Sequence, residues 1–339
     1  MLKFPRNKTR GDEKLKRIVL LLICLLIFSA CKKEKVEDHK KKLGIVFSVG
    51  GLGDHSFNDS TNEGIKAVEA KGVTVKRVEP ANPSEDEMYL REFAENDFDV
   101  IVGVGFLMED SLKKIAVEYP DQKFMGIDMN LELPNVRSLI FHEKQGSFLV
   151  GAMAAMVSEG RPVGFIGAAQ SPMINAMGDG FSEGARYVDP QIEVVSSFTP
   201  GPNPFNDPAR GYEIATSMIE TQGVEVIYHA AGGTGLGVFQ ASKEKGTYAI
   251  GVDTDQDDLE PGTVITSMIK SLDLVAEREL NRILQGDFEA GIEMQNLQNG
   301  GVRITETPFG LKVIKDEESF RKLEEKMVSG ELAIEDYRK

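Results

Sequence analysis

From residue 43 onward, short apolar runs alternate with longer amphipathic stretches. Several of the runs are apolar on both faces, which is typical of strands in a parallel sheet covered by helices. They predict ten strands, at 44–49, 73–78, 99–104, 123–127, 137–141, 163–167, 192–198, 224–231, 248–252 and 264–269.

The amphipathic stretches between them predict eight helices, at 60–70, 84–95, 108–118, 146–158, 175–187, 208–221, 236–245 and 272–284. In the sixth, Asp207 followed by Pro208 is the signature of a helix N-cap and a proline at the first helical position. Regular alternation of strand and helix indicates an α/β fold of doubly wound parallel sheets. Ten strands are many for one open sheet, so we expect two lobes.

The pattern also predicts where the chain passes between the lobes. We expect the first crossing at the helix over 146–158, the second near Lys270 and the third near Gly300. The predicted organisation is a signal peptide at 1–30, a lipidated tether at 31–42, lobe 1 at 43–142 plus about 271–305, and lobe 2 at 143–270 plus about 306–339.

The first 31 residues predict export. Seven basic residues precede an uncharged run from Ile18 to Cys31, which is short for a membrane span and suits a signal peptide. Ser29 and Ala30 before Cys31 resemble a bacterial lipobox, with Phe28 in place of the usual leucine. We therefore expect lipidation (palmitate) at Cys31 and an anchor in the cell membrane or outer membrane, facing the periplasm or the outside. An uncleaved anchor and plain secretion are the alternatives.

Charge and cysteine content exclude several classes of function. Without residues 1–30, 32 basic and 52 acidic side chains remain, a formal charge of −20, which disfavours nucleic acid as a partner. Both cysteines, Cys24 and Cys31, lie near the start of the chain, so the body has no disulfide or thiolate metal site. The acidic run 253–258 lacks the glycine and glutamate that a calcium loop needs. We expect no metal and no cofactor.

Polar and aromatic residues follow the predicted strands, where doubly wound sheets bind ligands. These loops are 50–59, 105–106, 128–130, 200–209, 231–237, 251–258 and 267–270. They are rich in Gly, Phe, Asn and Asp and hold few Lys or Arg, which favours a neutral, ring-bearing solute such as a sugar or nucleoside over a phosphorylated one.

One stretch matches an enzyme motif as a string. Residues 180–184 read GFSEG, which fits GxSxG, but a nucleophile elbow needs its serine on a tight turn after a strand. Ser182 falls inside a predicted helix, and no nucleophile, base and orienting residue occur together. We therefore expect that the protein is not an enzyme.

At these loops the chain resembles the PnrA-like (basic membrane protein) family of lipoproteins, which are purine-nucleoside-binding components of ABC importers. The segments that carry the resemblance are GGLGDHSFND (50–59), GID (126–128), GDGFSEGAR (178–186), FNDPARG (205–211), AAGGTGLGV (230–238), GVDTDQ (251–256) and TSMIK (266–270). The resemblance implies a type I periplasmic-binding fold with three crossover segments and ligand capture by hinge closure. It also implies a monomer that binds guanosine, inosine or adenosine and delivers it to an ABC permease in the inner membrane.

Carried over by position, the resemblance assigns roles in the first lobe and the aromatic pair. Phe57 and Phe205 would sandwich the purine, one from each lobe. Asn58 and Asp128 would form hydrogen bonds to polar edges of the nucleoside.

The remaining roles implied by the resemblance concern the second lobe and the first loop. Gly232 and Gly233 would let the backbone approach the ligand closely. Asp253 and Lys270 would bind the ribose hydroxyls. Asp54 would shape the first loop and contact the ligand.

Two other functions remain open from the sequence. A sugar-binding or signal-molecule-binding protein of the same fold would also use paired aromatics and carboxylates. A surface adhesin would bind through a patch outside the cleft, although an acidic surface disfavours polyanionic host ligands.

Overall fold

A computed structural model describes residues 40–338. The predicted signal peptide, the lipidation at Cys31 and nearly all of the tether lie outside the described residues. The strands of the described part are β1 (Lys42–Val46), β2 (Thr74–Val78), β3 (Val100–Val104), β4 (Phe124–Ile127), β5 (Val136–Phe141), β6 (Val163–Gly167), β7 (Val194–Phe198), β8 (Val226–Ala230), β9 (Tyr248–Asp253), β10 (Val264–Lys270), β11 (Gly291–Gln295) and β12 (Val302–Ile304).

The helices lie between the strands, as the alternating pattern predicts. They are α1 (Phe57–Glu69), α2 (Asp86–Ala94), α3 (Glu109–Glu118), α4 (Glu143–Ser158), α5 (Pro172–Val188), α6 (Pro208–Gln222), α7 (Gly235–Lys245), α8 (Leu272–Leu284), α9 (Pro308–Val313) and α10 (Glu317–Val328). Among the described residues, no helix combines the length and apolar character that crossing a membrane requires.

The strands form two six-stranded sheets, which confirms the predicted two-lobed α/β fold. The first has the order β11-β5-β4-β3-β1-β2, and all its pairs are parallel. The second has the order β12-β10-β9-β8-β6-β7 and is parallel except for β12. The two sheets therefore have the same strand order. In each, the second strand of the lobe lies at one edge, the first strand lies next to it, and the third, fourth and fifth strands follow in order.

The chain passes between the sheets three times: after β5, after β10, and between β11 and β12. The first two crossings lie where the sequence pattern placed them, at α4 and at Lys270. The third lies between Gln295 and Val302, which includes the predicted position near Gly300, because β12 pairs with β10 of the second sheet. The last lobe boundary therefore precedes residue 302, and the predicted boundary at about 305 is corrected.

Helix α4 carries the first crossing into the interior of the second lobe. Fourteen of its residues are buried, and it packs against α5. A helix that is apolar on all sides needs such an enclosed position. The contact with α5 is close because both helices present glycine: a methyl group on Gly151 would lie 2.0 Å from the Phe181 carbonyl oxygen, and one on Gly184 would lie 1.9 Å from that of Phe148.

This packing explains the GxSxG string. Gly180 and Gly184 lie one turn apart on the face of α5 that meets α4, while the hydroxyl of Ser182 pairs with Arg186 of the same helix. A small residue every four positions is what close helix contact requires. The serine has neither the tight strand–helix turn nor the neighbouring base of a hydrolase.

Candidate functional site

The carboxyl ends of both sheets face a shared cavity with about 540 Å³ of empty space, part of it open to solvent. Eight of the predicted site residues line it: Asp54, Phe57, Asn58, Asp128, Phe205, Gly232, Asp253 and Lys270. Gly233 does not line it; a methyl group there would face Asn206 and Asp54 instead, at 3.4 and 3.7 Å.

Asp54 organises the first loop. Its carboxylate accepts the backbone N–H groups of Ser56, Asn58 and Asp59 at 2.9, 2.9 and 3.1 Å, at the point where α1 begins. A carboxylate at a helix start satisfies N–H groups that lack an intrahelical partner. Burial raises the pKa of Asp54, while these hydrogen bonds act to lower it. Its oxygens are therefore committed to holding the loop that carries Phe57 and Asn58.

Asn58 is fixed by the same network. Its Oδ1 accepts the backbone N–H of Ser48 at 3.3 Å, and its Nδ2 donates to Asp54 Oδ2 at 3.1 Å. The side chain is 3 % exposed. The amide is thus held in one orientation at the cavity wall, where its second N–H can be offered to a bound solute.

Three phenylalanines give the cavity flat apolar walls. Phe57 and Phe106 come from the first lobe and Phe205 from the second. The rings of Phe106 and Phe205 meet edge to face across the lobes, with centroids 6.3 Å apart at 68°. Such walls suit a planar ring, which can stack on one aromatic and meet the edge of another.

Several lining residues were not assigned a role from the sequence. Phe106 belongs to the predicted strand-end loop 105–106, but the sequence predicts no role for it in ligand binding. Met173, Ile174 and Met177 line the cavity from the start of α5. The dipeptide Ser171-Pro172 could have indicated them, because serine followed by proline is typical of a helix start. The Ser171 hydroxyl accepts the Ile174 N–H at 3.2 Å, and the helix begins at Pro172, three residues before the predicted 175.

Asp128 and Asp253 occupy equivalent places in the two lobes. They follow β4 and end β9, both with left-handed backbone, φ 60° and 67°. Asp253 Oδ2 accepts the Ser56 hydroxyl at 2.7 Å. Asp128 Oδ2 pairs with Lys270 Nζ, while its buried Oδ1 has no hydrogen-bond partner among residues 40–338. An unpaired buried acceptor at a cavity wall is a place for a ligand donor.

Lys270 is the cation of this wall, and it is 2 % exposed. Burial acts to lower its pKa, but the carboxylates of Asp128, Glu143 and Asp253 outweigh that effect and raise it. Burial raises the pKa of Asp253 to about 6, although Lys270 and the Ser56 hydroxyl act against the rise. Lys270 therefore stays charged and can donate to ligand hydroxyls.

The lobes touch each other around the cavity. Besides the Ser56–Asp253 bond, Gln256 Nε2 donates to the His55 carbonyl at 2.8 Å, and Asn206 Nδ2 donates to the Gly50 carbonyl at 3.3 Å. A methyl group on Gly50 would lie 3.5 Å from Phe205 Cβ, so the two loops approach closely. A solute in the cavity would be enclosed from both lobes.

The chemistry of this site is recognition. In the part of the chain that the structure describes, no three His, Cys, Asp or Glu side chains are grouped to hold a metal ion. The lining offers stacking surfaces, carboxylate acceptors, one amide and one ammonium group.

Comparison with known proteins supports the same reading. A family model described as Bmp, ABC transporter substrate-binding protein PnrA-like, matches residues 41–337. Basic membrane protein B of Borreliella burgdorferi is 30% identical over 342 residues, covering 94% of this chain and 95% of that protein. The CD4+ T-cell-stimulating antigen of Listeria monocytogenes is 29% identical over 318 residues, covering 86% and 87%.

Among solved structures, a solute-binding protein of an ABC transporter system from Aeropyrum pernix superposes with a TM-score of 0.79. It is 27% identical, and the match covers 87% of this chain and 93% of that one. The two-lobed architecture is therefore that of ABC solute-binding proteins.

Proposed function

This chain belongs to the family of PnrA-like ABC transporter substrate-binding proteins, whose fold is not that of an enzyme, and we propose that its cleft captures purine nucleosides for delivery to an ABC permease. Guanosine, inosine and adenosine are the proposed ligands. The observation that carries the proposal is a cavity that combines aromatic walls, from Phe57, Phe106 and Phe205, with charged groups, from Asp128, Asp253 and Lys270.

The aromatic walls formed by Phe57, Phe106 and Phe205 suit a purine base. Phe57 and Phe205 come from opposite lobes, and closure around a flat ring would bring both into contact with it. Each stacked aromatic contributes about 0.5–1.5 kcal/mol beyond the apolar area that it buries. Asn58 and the free acceptor of Asp128 supply hydrogen bonds at the polar edges of the ligand.

The charged side chains of Asp253 and Lys270 suit the ribose. Asp253 can accept hydrogen bonds from ligand hydroxyl groups, and Lys270 can donate hydrogen bonds to hydroxyl oxygens, so vicinal hydroxyls can use both residues. A nucleoside would use these groups and the aromatic walls together, whereas free ribose has no base to stack on Phe57 and Phe205.

The charge of the lining argues against nucleotides. Asp54, Asp128 and Asp253 line the cavity together with a single lysine, and that lysine is already paired with Asp128. A phosphate group would meet carboxylates without a free cation, at a large cost in a buried site.

Mass spectrometry of small molecules released from the purified protein tests the proposal. We expect a purine nucleoside in wild-type protein and much less in the Asp253→Asn variant, which keeps its shape but loses the charged acceptor. Release of a sugar or an amino acid in place of a nucleoside would overturn the proposed ligand.

We propose in addition that Cys31 carries the lipid anchor of this extracytoplasmic protein. The support is the sequence before it, a basic segment, an apolar run and then Ser29-Ala30-Cys31. Two acyl chains on one cysteine suffice for stable membrane binding. Radiolabelled palmitate should be incorporated into wild-type protein and not into Cys31→Ala; equal label in both would disprove this anchor.

A further inference from the structure

The segment 334–338, called here the strap, lies against the first crossover outside the cavity. Ile334 and Tyr337 pack against the apolar core. His142, which precedes α4, donates from Nε2 to the Ile334 carbonyl at 3.0 Å, since a carbonyl oxygen can only accept. The strap is therefore fixed to the residues where the chain leaves the first lobe.

Arg338 of the strap reaches several crossovers at once. Its Nη2 donates to the Phe141 carbonyl at the end of β5, and it lies 3.8 Å from Met294 Sδ in β11 and 3.5 Å from Glu143 Oε2 at the start of α4. Asp336 orients the guanidinium by accepting from Nε at 2.9 Å. The side chain is 13% exposed, so it is largely removed from solvent.

Glu143 lies between Arg338 and the ligand cavity. Its side chain is 0% exposed, with Oε1 3.7 Å from Lys270 Nζ and Oε2 3.5 Å from Arg338 Nη2. Neither side-chain oxygen has a geometrically defined hydrogen-bond partner in the described part of the chain, and Lys270 and Arg338 are the nearby cations that offset its charge. The charged and titratable groups that face it are Lys270, Asp128, Arg338, Tyr337 and Tyr228.

These contacts form a continuous row of alternating charge from the strap to the cavity: Arg338, Glu143, Lys270 and Asp128. If Arg338 were absent, the buried Glu143 carboxylate would have only Lys270 as a near cation. At a pH high enough to ionise Glu143, Lys270 would then be drawn toward Glu143 and away from Asp128, because an unbalanced buried charge is costly.

We propose that Arg338 is a positioning residue for the cleft: it balances Glu143, so that the Lys270 ammonium stays paired with Asp128 and available to the ligand. Arg338 also links the first crossover to β11 through Phe141, Glu143 and Met294. The inference rests on the proposed site around Lys270, and it holds for any solute that uses this lysine.

Calorimetry with inosine as the probe tests the inference in wild-type protein, Arg338→Met, Arg338→Lys, Glu143→Gln and the double variant. We expect Arg338→Met to weaken binding at least tenfold and Arg338→Lys to restore part of the loss. In the Glu143→Gln background, Arg338→Met should change affinity less than twofold. Arg321→Met, which removes an arginine from exposed ion pairs on α10, is the control.

Two calorimetric results would overturn the inference. The first is wild-type affinity in Arg338→Met, and the second is an equal loss of affinity from Arg338→Met in the wild-type and Glu143→Gln backgrounds. The second result would make Arg338 a structural residue only. Absence of heat with wild-type protein would instead refute inosine as a ligand, and the positioning role would then be decided without ligand.

The ligand-free test is urea unfolding of the same variants at pH 5 and pH 8. Burial raises the pKa of Glu143 to about 7 despite Lys270, and losing Arg338 should raise it further. A raised carboxyl pKa gives stability that is present at low pH and lost as the pH rises. Arg338→Met should therefore lower the unfolding midpoint more at pH 8 than at pH 5, and this difference should vanish in Glu143→Gln. An equal loss at both pH values would contradict the role.

Discussion

Asp128 and Asp253 show how single residues define this site. Each ends a central strand of its own sheet with positive φ, a conformation that costs a residue other than glycine about 1–2 kcal/mol. Such strain persists where the surroundings hold it, commonly at ligand sites. Here the positive φ of Asp128 and Asp253 lies where each strand ends, and both carboxylates, one from each lobe, lie near Lys270.

The aromatic wall gives a prediction at this scale. Phe205→Ala should weaken inosine binding about 100-fold, because it removes roughly 1.5–3 kcal/mol of ring burial and about 0.5–1.5 kcal/mol of stacking. Isothermal titration calorimetry measures the change. Leu107→Ala is the control, since Leu107 is 42% exposed and lies beside Phe106 but outside the cavity lining. Equal affinity of Phe205→Ala and wild-type protein would remove Phe205 from the site.

His229 gives a pH-dependent prediction. It is fully buried under Gln256 and Phe239, and burial lowers its pKa to about 4. A histidine with a lowered folded-state pKa gives stability that is present above pH 6.5 and lost as the pH falls toward 4. Between pH 7 and pH 4.5, wild-type protein should lose roughly 2–3 kcal/mol more unfolding free energy than His229→Gln. Parallel pH profiles of the two proteins, measured by urea unfolding, would contradict this.

At the scale of elements, the contact between α4 and α5 sets the frame of the second lobe. Gly151 and Gly184 each face a backbone carbonyl of the other helix at a distance that admits no side chain. Because α4 carries the first crossing and α5 presents Met173 and Ile174 to the cavity, this contact also places part of the site.

Gly184→Ala should therefore destabilise the protein by about 1–3 kcal/mol or more, the usual cost of overpacking a well-packed contact. Urea unfolding should show a lower midpoint. Ser182→Ala on the same helix should leave the midpoint within about 0.5 kcal/mol of wild type, as surface substitutions do. An unchanged midpoint in Gly184→Ala would mean that the helices can separate without cost.

The sequence predicted most of the elements because long apolar runs and amphipathic stretches give strong periodic signals. β11 and β12 were missed: β11 is half-buried along most of its length, and β12 has three residues. Helices α9 and α10 were also missed, since they follow the last strong strand pattern. Helix starts were predicted up to three residues late where the first turn is polar, as in α1 and α4.

Residues on the loops that follow the predicted strands could be placed at the cavity from the sequence, as Phe57, Asp128 and Lys270 are. Gly233 does not line the cavity, whereas its neighbour Gly232 does. Phe106, Met173 and Glu143 could not be assigned because their roles depend on which loops and crossovers meet in space, and single-strand patterns carry no such information. Arg338 pairs locally with Asp336, but its contacts with Phe141, Glu143 and Met294 come from segments distant in sequence.

For the whole molecule, two lobes with the same strand order are joined by three crossovers and enclose a cavity between them. The formal net charge of the chain is −15, and the cavity is lined by three aspartates and one lysine. Both features disfavour anionic solutes, so the account predicts discrimination between a nucleoside and its phosphate.

Calorimetric titration of ligand-free protein with inosine, guanosine or adenosine, and with the matching 5′-monophosphates and ribose, tests the central claim most directly. The account predicts saturable heat with at least one nucleoside, and affinities for its monophosphate and for ribose that are at least tenfold weaker. Heat with a sugar or an amino acid and none with any nucleoside would contradict it.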